Sequence, residues 1–333
     1  MKNIWLLTSF IGLLLLLAAC NTNDENASSA AGVQNTDDTL TIFTSIYPLE
    51  DFAKKIGGEH VQVNTLIPPG ADSHTFEPTS KDILDIAKAD AFIFNGLGME
   101  SYAEKVKETL KNEDVVFVEA AEGMEAIPHD HEHHGEEADS HGHDGDEHQD
   151  SEHDDGHHHG DQDPHVWIDP NQAIVLAEHI KNTLVDLKPE AREAFEENFE
   201  TLKQDLEALD EEFHQLVDSK ENPEMIVSHA AYGYWEKSYG IKSIPIAGLS
   251  SSQEPSQSEL TKLIQVAKEK DLKYVIFEQN ITPKVAKVIQ DEIGAEPLYL
   301  HNISTLTDED IANEEDYFSL MERNLETLDK ALR

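Results

Sequence analysis

The sequence predicts an α/β protein of two (β/α)4-like lobes, each with a largely parallel sheet, joined by one long rigid helix. Short apolar runs rich in β-branched and aromatic residues alternate with helix-length segments. This alternation occurs once in each half of the chain, and one amphipathic segment of helical period separates the halves. Repeated strand and helix alternation is typical of parallel sheets covered by helices, so each half should form its own α/β lobe.

Eight segments have the composition and length of strands, four in each half of the chain. Each is followed by a helical or loop segment, as parallel pairing requires. The predicted strands of the first lobe are residues 40–46, 61–67, 91–95 and 115–118. Those of the second lobe are residues 225–228, 241–246, 274–277 and 297–300, with helices at 258–270 and 283–293 among the segments between them.

The segment between the halves has apolar residues at spacings of four and three, with acids and lysines at the other positions. These residues are Phe195, Phe199, Leu202, Leu206, Leu209, Phe213 and Leu216. One helix from about residue 189 to 219 would be roughly 45 Å long, which is enough to span both lobes. A coiled-coil dimer has the same spacing, but the run barely reaches the length that would indicate one. We therefore favour a strut within a monomer.

The amino terminus has the order of an export signal. Lys2 precedes an apolar run and a small-residue site that ends at Cys20, the only cysteine in the chain. The run is shorter than the ~20 apolar residues of a membrane-spanning helix. Cys20 after Leu17-Ala18-Ala19 resembles a bacterial lipobox, in which the thiol is acylated, although an ordinary signal peptide can contain a cysteine. We predict a signal peptide over 1–19, a lipidated flexible tether over 20–39, and an extracytoplasmic protein anchored at the outer face of the cytoplasmic membrane.

The remaining residues divide into a first lobe at 40–188, a linking helix at 189–220 and a second lobe at 221–333. The formal net charge of the chain is −44. Such a surface repels phosphate backbones, which argues against nucleic acid as a partner, and it concentrates cations near the protein. Acidity that serves solubility alone is the alternative interpretation.

Residues 129–163 contain eleven histidines and fourteen acids, and no apolar residue larger than alanine. This composition cannot form a core, so we predict a disordered loop inserted in the first lobe. A high density of histidine is typical of metal binding, which favours a metal-collecting loop over a solvated spacer. The loop histidines are His129, His131, His133, His134, His141, His143, His148, His153, His157, His158 and His159.

Three further histidines stand where a site would form. His74 lies just beyond the predicted strand 61–67, and His229 directly follows the predicted strand 225–228. In open α/β sheets ligands bind outside the carboxyl ends of strands, so these two side chains, one per lobe, can face each other across a cleft. Glu278 occupies an equivalent strand end.

The third histidine, His165, follows the acidic loop at the point where ordered sequence resumes. Pro164, Trp167 and Pro170 surround it and would hold it rigidly. Three neutral imidazoles with a water or a carboxylate as fourth donor suit tetrahedral zinc, whereas calcium or magnesium would need more carboxylates. Taken singly, a histidine beside a strand is more often a hydrogen-bonded structural residue than a metal ligand.

Several motifs occur together in a fixed order. They are Pro-Pro-Gly-Ala-Asp-Ser-His-Thr-Phe-Glu-Pro around His74, Asn-Gly-Leu-Gly-Met-Glu at 95–100, Asp-Pro-His-Val-Trp-Ile-Asp-Pro at 163–170, Ser-His-Ala-Ala-Tyr-Gly-Tyr at 228–234, and Phe-Glu at 277–278. From about Thr41 to its carboxyl end the chain therefore resembles the solute-binding proteins of bacterial zinc and manganese ABC transporters, the cluster A-I or family 9 solute-binding proteins.

The resemblance implies that His74, His165 and His229 bind the metal in the cleft between two lobes joined by a rigid helix. It also implies an ABC transporter permease and its ATPase as partners. Manganese members keep only two of these histidines, so His229 argues for Zn²⁺. Some relatives supply a fourth carboxylate where this chain has Ser304, which leaves water, Glu278 or a loop histidine as the fourth ligand. A role for Glu278 in orienting a histidine is favoured.

Two other classes of function are weighed against zinc uptake. Three histidines with an open position also occur in zinc hydrolases. The chain lacks a His-Glu-x-x-His run, a nucleophile elbow and a Gly-rich phosphate loop, so we do not expect an enzyme. An extracellular adhesin or a metal buffer that serves no transporter is the third class, and the residue pattern does not separate it from a transport component.

Overall fold

In the part of the chain that the structure describes, two four-stranded sheets form the framework, and every strand pair within them is parallel. The computed structural model describes residues 39–128, 162–250, 252–279 and 283–333. The predicted signal peptide, Cys20, nearly all of the predicted tether and the eleven loop histidines lie outside these residues.

The two sheets have the same topology, with strand orders β2-β1-β3-β4 and β6-β5-β7-β8. The first sheet contains β1 (Leu40–Thr44), β2 (Val61–Thr65), β3 (Ala91–Phe94) and β4 (Val116–Glu119). The second contains β5 (Glu224–Val227), β6 (Lys242–Pro245), β7 (Tyr274–Glu278) and β8 (Glu296–Leu300). The prediction of two largely parallel four-stranded sheets is confirmed.

Helices connect the strands and cover the sheets. They are α1 (Tyr47–Gly57), α2 (Ser80–Ile86), α3 (Ala103–Thr109), α4 (Pro170–Leu187), α5 (Arg192–Asp218), α6 (Gly233–Tyr239), α7 (Gln257–Glu269), α8 (Lys284–Ile293), α9 (Asp308–Ala312) and α10 (Tyr317–Ala331). Helix starts follow capping chemistry. Asp169 accepts hydrogen bonds from the backbone N–H groups of Asn171 and Gln172 at the start of α4, and Ser256 forms a capping box with Glu259 at α7.

Helix α5 is the long helix that the sequence predicts. Residues Pro189–Ala191 form a 3₁₀ turn rather than the first α-helical turn, and the α-helix of 27 residues that follows is about 40 Å long. It contacts α1 and α4 of the first lobe and α6 and α10 of the second.

The predicted apolar stripe of α5 is buried inside the chain, except that Leu216 is half-buried and Val217 packs into the core instead. Because these side chains are already buried within the chain, they cannot form the interface of the coiled-coil dimer that the sequence left as an alternative. Among the described residues, no helix combines the length and the apolar character needed to cross a membrane.

One large apolar core extends across both lobes. It includes Phe52 and Trp167 from the first lobe, Phe213 from α5, and Trp235 and Tyr317 from the second. Separate clusters cover the outer face of each sheet. The described residues accordingly form one compact unit, in which the two lobes hold the carboxyl ends of their strands at a shared boundary.

Candidate metal centre

The three predicted histidines of the folded lobes lie together at the boundary between the lobes. His74 follows β2, His165 precedes the 3₁₀ turn Val166–Ile168 that leads to α4, and His229 follows β5. The Nε2 atom of His165 lies 3.1 Å from Nε2 of His74 and 3.4 Å from Nε2 of His229. One ligand atom from each residue lies within 4.8 Å of the others, and the structure therefore brings all three to one point.

The spacing of the nitrogens suits a zinc ion. At a Zn–N distance of about 2.0–2.1 Å, two donors at tetrahedral positions are about 3.3 Å apart. The two Nε2 distances to His165 lie on either side of this value. Both donor pairs that include His165 thus have about the spacing of two vertices of a tetrahedron around zinc, and the ligand atoms of His74 and His229 lie within 4.8 Å of each other.

His165 is held by Asp163. Its Nδ1 lies 2.7 Å from Oδ1 of Asp163, and its backbone N–H donates to the same oxygen at 3.0 Å. Both side chains are buried. A carboxylate at Nδ1 keeps the proton on that nitrogen and leaves the lone pair of Nε2 free for a metal. The indole ring of Trp167, centred 5.2 Å away, packs beside the imidazole, in line with the expected rigidity of this histidine.

The predicted disordered loop, 129–163, is therefore too long at its carboxyl end. Gln162 forms an antiparallel bridge with Pro128, and the backbone N–H of Asp163 donates to the carbonyl of Ile127 at 3.0 Å. The physical reason is that the Asp163 carboxylate bonds to His165 instead of to water. The two ends of the loop thus pair at Pro128 and Gln162, and Gln162 is three residues before His165.

His229 is held in the same way by Glu278. Its Nδ1 is in direct contact with Oε1 of Glu278, and both side chains are buried. Burial lowers the pKa of His229, but the charge of Glu278 outweighs burial and the net shift is upward. Burial likewise raises the pKa of Glu278, and the charge of His229 outweighs it, so that the pKa is lowered. Glu278 lies behind the histidine and outside the three-histidine cluster.

His74 is the most exposed of the three. Its backbone N–H donates to Oδ1 of Asp72 at 2.9 Å, which fixes the turn that carries it. Burial, and then the charges of His165 and His229, hold the pKa of His74 well below its usual value. This side chain is therefore neutral and able to bind a metal at neutral pH.

Two residues that support the cluster, Asp163 and Asn302, were not identified from the sequence, and Ser304 has a different role from a ligand. The Ser304 hydroxyl donates to Oδ1 of Asn302 at 3.0 Å, and Ser304 is not part of the cluster. The Nδ2 of Asn302 donates to Oε2 of Glu278 at 2.6 Å. Sequence reasoning missed Asp163 and Asn302. The spacing Asp-Pro-His could have indicated the first, whereas Asn302 is 24 residues from Glu278 and carries no local signal.

A family model described as zinc-uptake complex component A, periplasmic, matches residues 42–331. The chain belongs to this family. Members of the family are solute-binding proteins, so the expectation that the chain is not an enzyme is confirmed, as is the resemblance inferred from the motifs.

Individual family members match over most of the chain. It is 33% identical over 328 residues to the zinc-binding lipoprotein AdcA of Streptococcus pneumoniae, which covers 98% of this chain and 60% of AdcA. It is 35% identical over 318 residues to the high-affinity zinc uptake system protein ZnuA of Bacillus subtilis, which covers 96% of this chain and 94% of ZnuA. The chain thus spans about three-fifths of the AdcA relatives and nearly the whole of this ZnuA.

The fold is similar to that of solved family members. The Zn(II)-bound ZnuA-like domain of Streptococcus pneumoniae AdcA aligns with a TM-score of 0.71 at 30% identity, covering 88% of this chain and 99% of that domain. The metal-dependent lipoprotein YcdH of Bacillus subtilis aligns with a TM-score of 0.70 at 32% identity, covering 88% of this chain and 99% of YcdH. The two-lobe architecture is thus that of the family.

Proposed function

We propose that this protein captures Zn²⁺ outside the cytoplasm and delivers it to the membrane permease of an ABC transporter for zinc uptake. The observation that carries the proposal is the convergence of ligand atoms from His74, His165 and His229 within 4.8 Å, with both Nε2 distances to His165 close to tetrahedral spacing. The names of relatives that bind or take up zinc support the same ion.

The donor set favours zinc over hard cations. The cluster contains three imidazoles and no carboxylate, and imidazole is a borderline ligand that suits zinc. Calcium and magnesium prefer six or more oxygen donors. Manganese accepts oxygen readily, whereas the carboxylates nearest to these rings, Asp163 and Glu278, already face the Nδ1 atoms.

The surroundings of Glu278 favour binding over hydrolysis. A zinc hydrolase needs a general base within reach of the metal-bound water. One oxygen of Glu278 contacts Nδ1 of His229, and the other accepts a hydrogen bond from Asn302. With both oxygens engaged behind the ligand, this carboxylate orients a histidine and does not act as a base.

The segments outside the described residues complete the proposal. Acylation of Cys20 would hold the protein at the outer face of the membrane, next to the permease. The loop histidines would collect zinc through many weak donors and raise its concentration near the cleft. The bridge between Pro128 and Gln162 anchors both loop ends beside Asp163 and His165, which favours transfer from the loop to the site.

The decisive experiment is a zinc titration, with bound metal counted by mass spectrometry. The protein begins at residue 21 and lacks residues 129–161, and it is compared with its His229→Ala variant. His179→Ala is the matched control, because Nδ1 of His179 donates to the carbonyl of Ala120 at 2.7 Å outside the cluster. We expect one tightly bound zinc, lost in His229→Ala and kept in the control. The absence of tight zinc without the loop would make the loop the binding element.

Transport is separated from adhesion or buffering by zinc uptake in cells. Cells that lack the protein should take up less zinc when zinc is scarce. The wild-type gene should restore uptake, and the His229→Ala variant should not. Uptake that is unchanged without the protein would rule out the transport role even if the site binds zinc.

A further inference from the structure

The segment that follows β8 lies buried between the lobes, although it contributes no ligand to the three-histidine cluster. His301, Asn302, Ile303, Ser304 and Thr305 are all buried. Loops usually run over the surface because their backbone polar groups need partners. The partners of this segment lie next to all three candidate ligands.

The first set of contacts leads to His229. Oδ1 of Asn302 accepts from the backbone N–H of Ser304 at 3.1 Å, from the Ser304 hydroxyl at 3.0 Å and from Nε2 of Gln279 at 3.3 Å. These donors define which end of the amide is oxygen, so Nδ2 must face Glu278, at 2.6 Å. Asn302 therefore fixes the carboxylate that contacts His229.

The second contact leads to His165. The indole Nε1 of Trp167 donates to the backbone carbonyl of Asn302 at 2.7 Å. The carbonyl of Trp167 accepts from the hydroxyl of Tyr317 at 2.7 Å, which holds the same turn from the second lobe. Asn302 is thus bonded both to Glu278, which contacts His229, and to Trp167, which packs beside His165.

The third set of contacts leads to the turn before His74. The backbone N–H of Gly70 donates to the carbonyl of Leu306 at 2.8 Å, and the hydroxyl of Thr305 donates to the carbonyl of Ala71 at 3.3 Å. The segment thus bridges the lobes along the side of the cleft that carries His74.

The backbone beside Asn302 is in an unfavourable conformation. Ile303 has φ of 62°, in the left-handed region that β-branched residues rarely adopt. Its N–H donates to Nδ1 of His301 at 2.9 Å, and Nε2 of His301 lies 3.0 Å from Oδ2 of Asp310. Such a conformation persists only where the surrounding contacts determine it. Here they place Asn302 between the lobes.

We propose that Asn302 is a positioning residue for zinc binding. It holds Glu278 against Nδ1 of His229 and, through Trp167, ties the turn of His165 to the same point. The Nε2 atoms of these two histidines thereby keep their 3.4 Å separation across the lobe boundary. The proposal rests on the proposed function, since zinc is the ligand that Asn302 would serve.

The first test is Asn302→Asp, which has nearly the same shape but replaces the Nδ2 donor with an oxygen that faces Glu278. Zinc affinity, measured by competition with a chelator, should fall about 10- to 100-fold. The visible spectrum of the Co²⁺-substituted protein should also change, because it reports the ligand geometry. Asn198→Asp is the matched control, since its amide donates to the carbonyl of Ile56 at 2.9 Å away from the site, and neither readout should change.

A double-mutant comparison separates positioning from a general structural role. In a Glu278→Gln background, Asn302→Asp restores the hydrogen bond with donor and acceptor exchanged. The added loss of zinc affinity should then be less than about threefold, because the partner through which Asn302 acts has changed. An equal loss in both backgrounds would overturn the proposal.

Failure of the proposed function would look different. If His229→Ala bound zinc as tightly as the wild type, the three-histidine site itself would be wrong, whatever Asn302 does.

If Asn302→Asp does not fold, as judged by thermal unfolding of the metal-free protein, Trp167→Phe replaces it as the test. That variant keeps an aromatic ring, although a smaller one, beside His165 and loses the indole N–H that donates to Asn302, so zinc affinity should fall about threefold to tenfold. Unchanged affinity would overturn the proposal.

Discussion

Gly233, the first residue of α6, approaches the carboxylate of Asp163 across the lobe boundary. A Cβ atom at this position would lie 2.6 Å from Oδ2 of Asp163. Cβ contacts under 3.0 Å essentially never occur and ordinary van der Waals contact begins at 3.4 Å, so in Gly233→Ala the two groups must separate by about 0.4 to 0.8 Å. Gly233→Ala, a substitution in the second lobe, should therefore disturb His165 of the first lobe through Asp163, without contacting His165 itself.

The displacement is transmitted because the other oxygen of Asp163 is bonded to His165. Oδ1 lies 2.7 Å from Nδ1 of His165, so a carboxylate that moves by about 0.4 to 0.8 Å at Oδ2 changes the length or the angle of this contact unless the ring moves with it. Supporting contacts of this kind are typically worth about 10- to 100-fold in metal affinity, and we expect a loss of about tenfold for a partial displacement. Overpacking should also lower the free energy of unfolding by about 1–3 kcal/mol.

Chelator competition measures the zinc affinity, and urea unfolding of the metal-free protein measures stability. Gly294→Ala is the control. Gly294 has φ of 68° and nothing lies within 4 Å of its Cβ position, so alanine there should cost about 1–2 kcal/mol of stability and leave zinc affinity unchanged. Wild-type affinity in Gly233→Ala, with unfolding free energy reduced, would refute the role of Asp163 in orienting His165.

Two further predictions concern proton competition and the long helix. The pKa of His229 is raised above its ordinary value of 6.5, so as the pH falls the protonation of His229 should begin to weaken zinc affinity already above that pH. Glu278→Gln removes the charge that raises this pKa and also weakens zinc binding, so the plateau affinity should drop while the pH at which affinity starts to fall from that plateau, followed by chelator competition between about pH 5 and 8, should move lower; an unmoved onset would contradict the pairing. Phe213→Ala empties a fully buried position packed against Trp235 and Tyr239 and should cost about 3–5 kcal/mol in urea unfolding, whereas the exposed Glu211→Ala should cost less than about 0.5 kcal/mol. A loss below about 1 kcal/mol at Phe213 would mean that α5 is not part of the core.

The starts of all eight strands lie within one residue of their predicted positions. Each strand is a short β-branched or aromatic run bounded by turn residues, and that local pattern is sufficient to locate it. The carboxyl ends were less accurate. Ile46 and Ile67 are buried and apolar, but they lie beyond the last residue of β1 and β2. Apolar character reports burial, whereas the end of a strand depends on backbone pairing.

The positions of the candidate ligands could be predicted from the sequence, but most of the residues that hold them in place could not. The histidines at strand ends could be located because parallel sheets place those ends on one side. Asp163 was assigned to the acidic loop because composition does not distinguish a solvated carboxylate from one bonded to an imidazole. The contact between Asn302 and Glu278 depends on how the turn after β8 folds back, which no residue pattern encodes.

The same contacts bear on how zinc leaves the site. Swinging the lobes apart would expose Trp167, Phe213 and Tyr317, which lie in one shared core, at about 1.5–3 kcal/mol for each large side chain. It would also break the hydrogen bond from Trp167 to Asn302. By contrast, a displacement of about an ångström at one Nε2 atom is enough to spoil tetrahedral coordination. His74 is the candidate ligand best placed for such a movement, because it is partly exposed whereas His165 and His229 are buried. The fold therefore favours release by a local shift of the turn that carries His74 over a wide opening of the cleft.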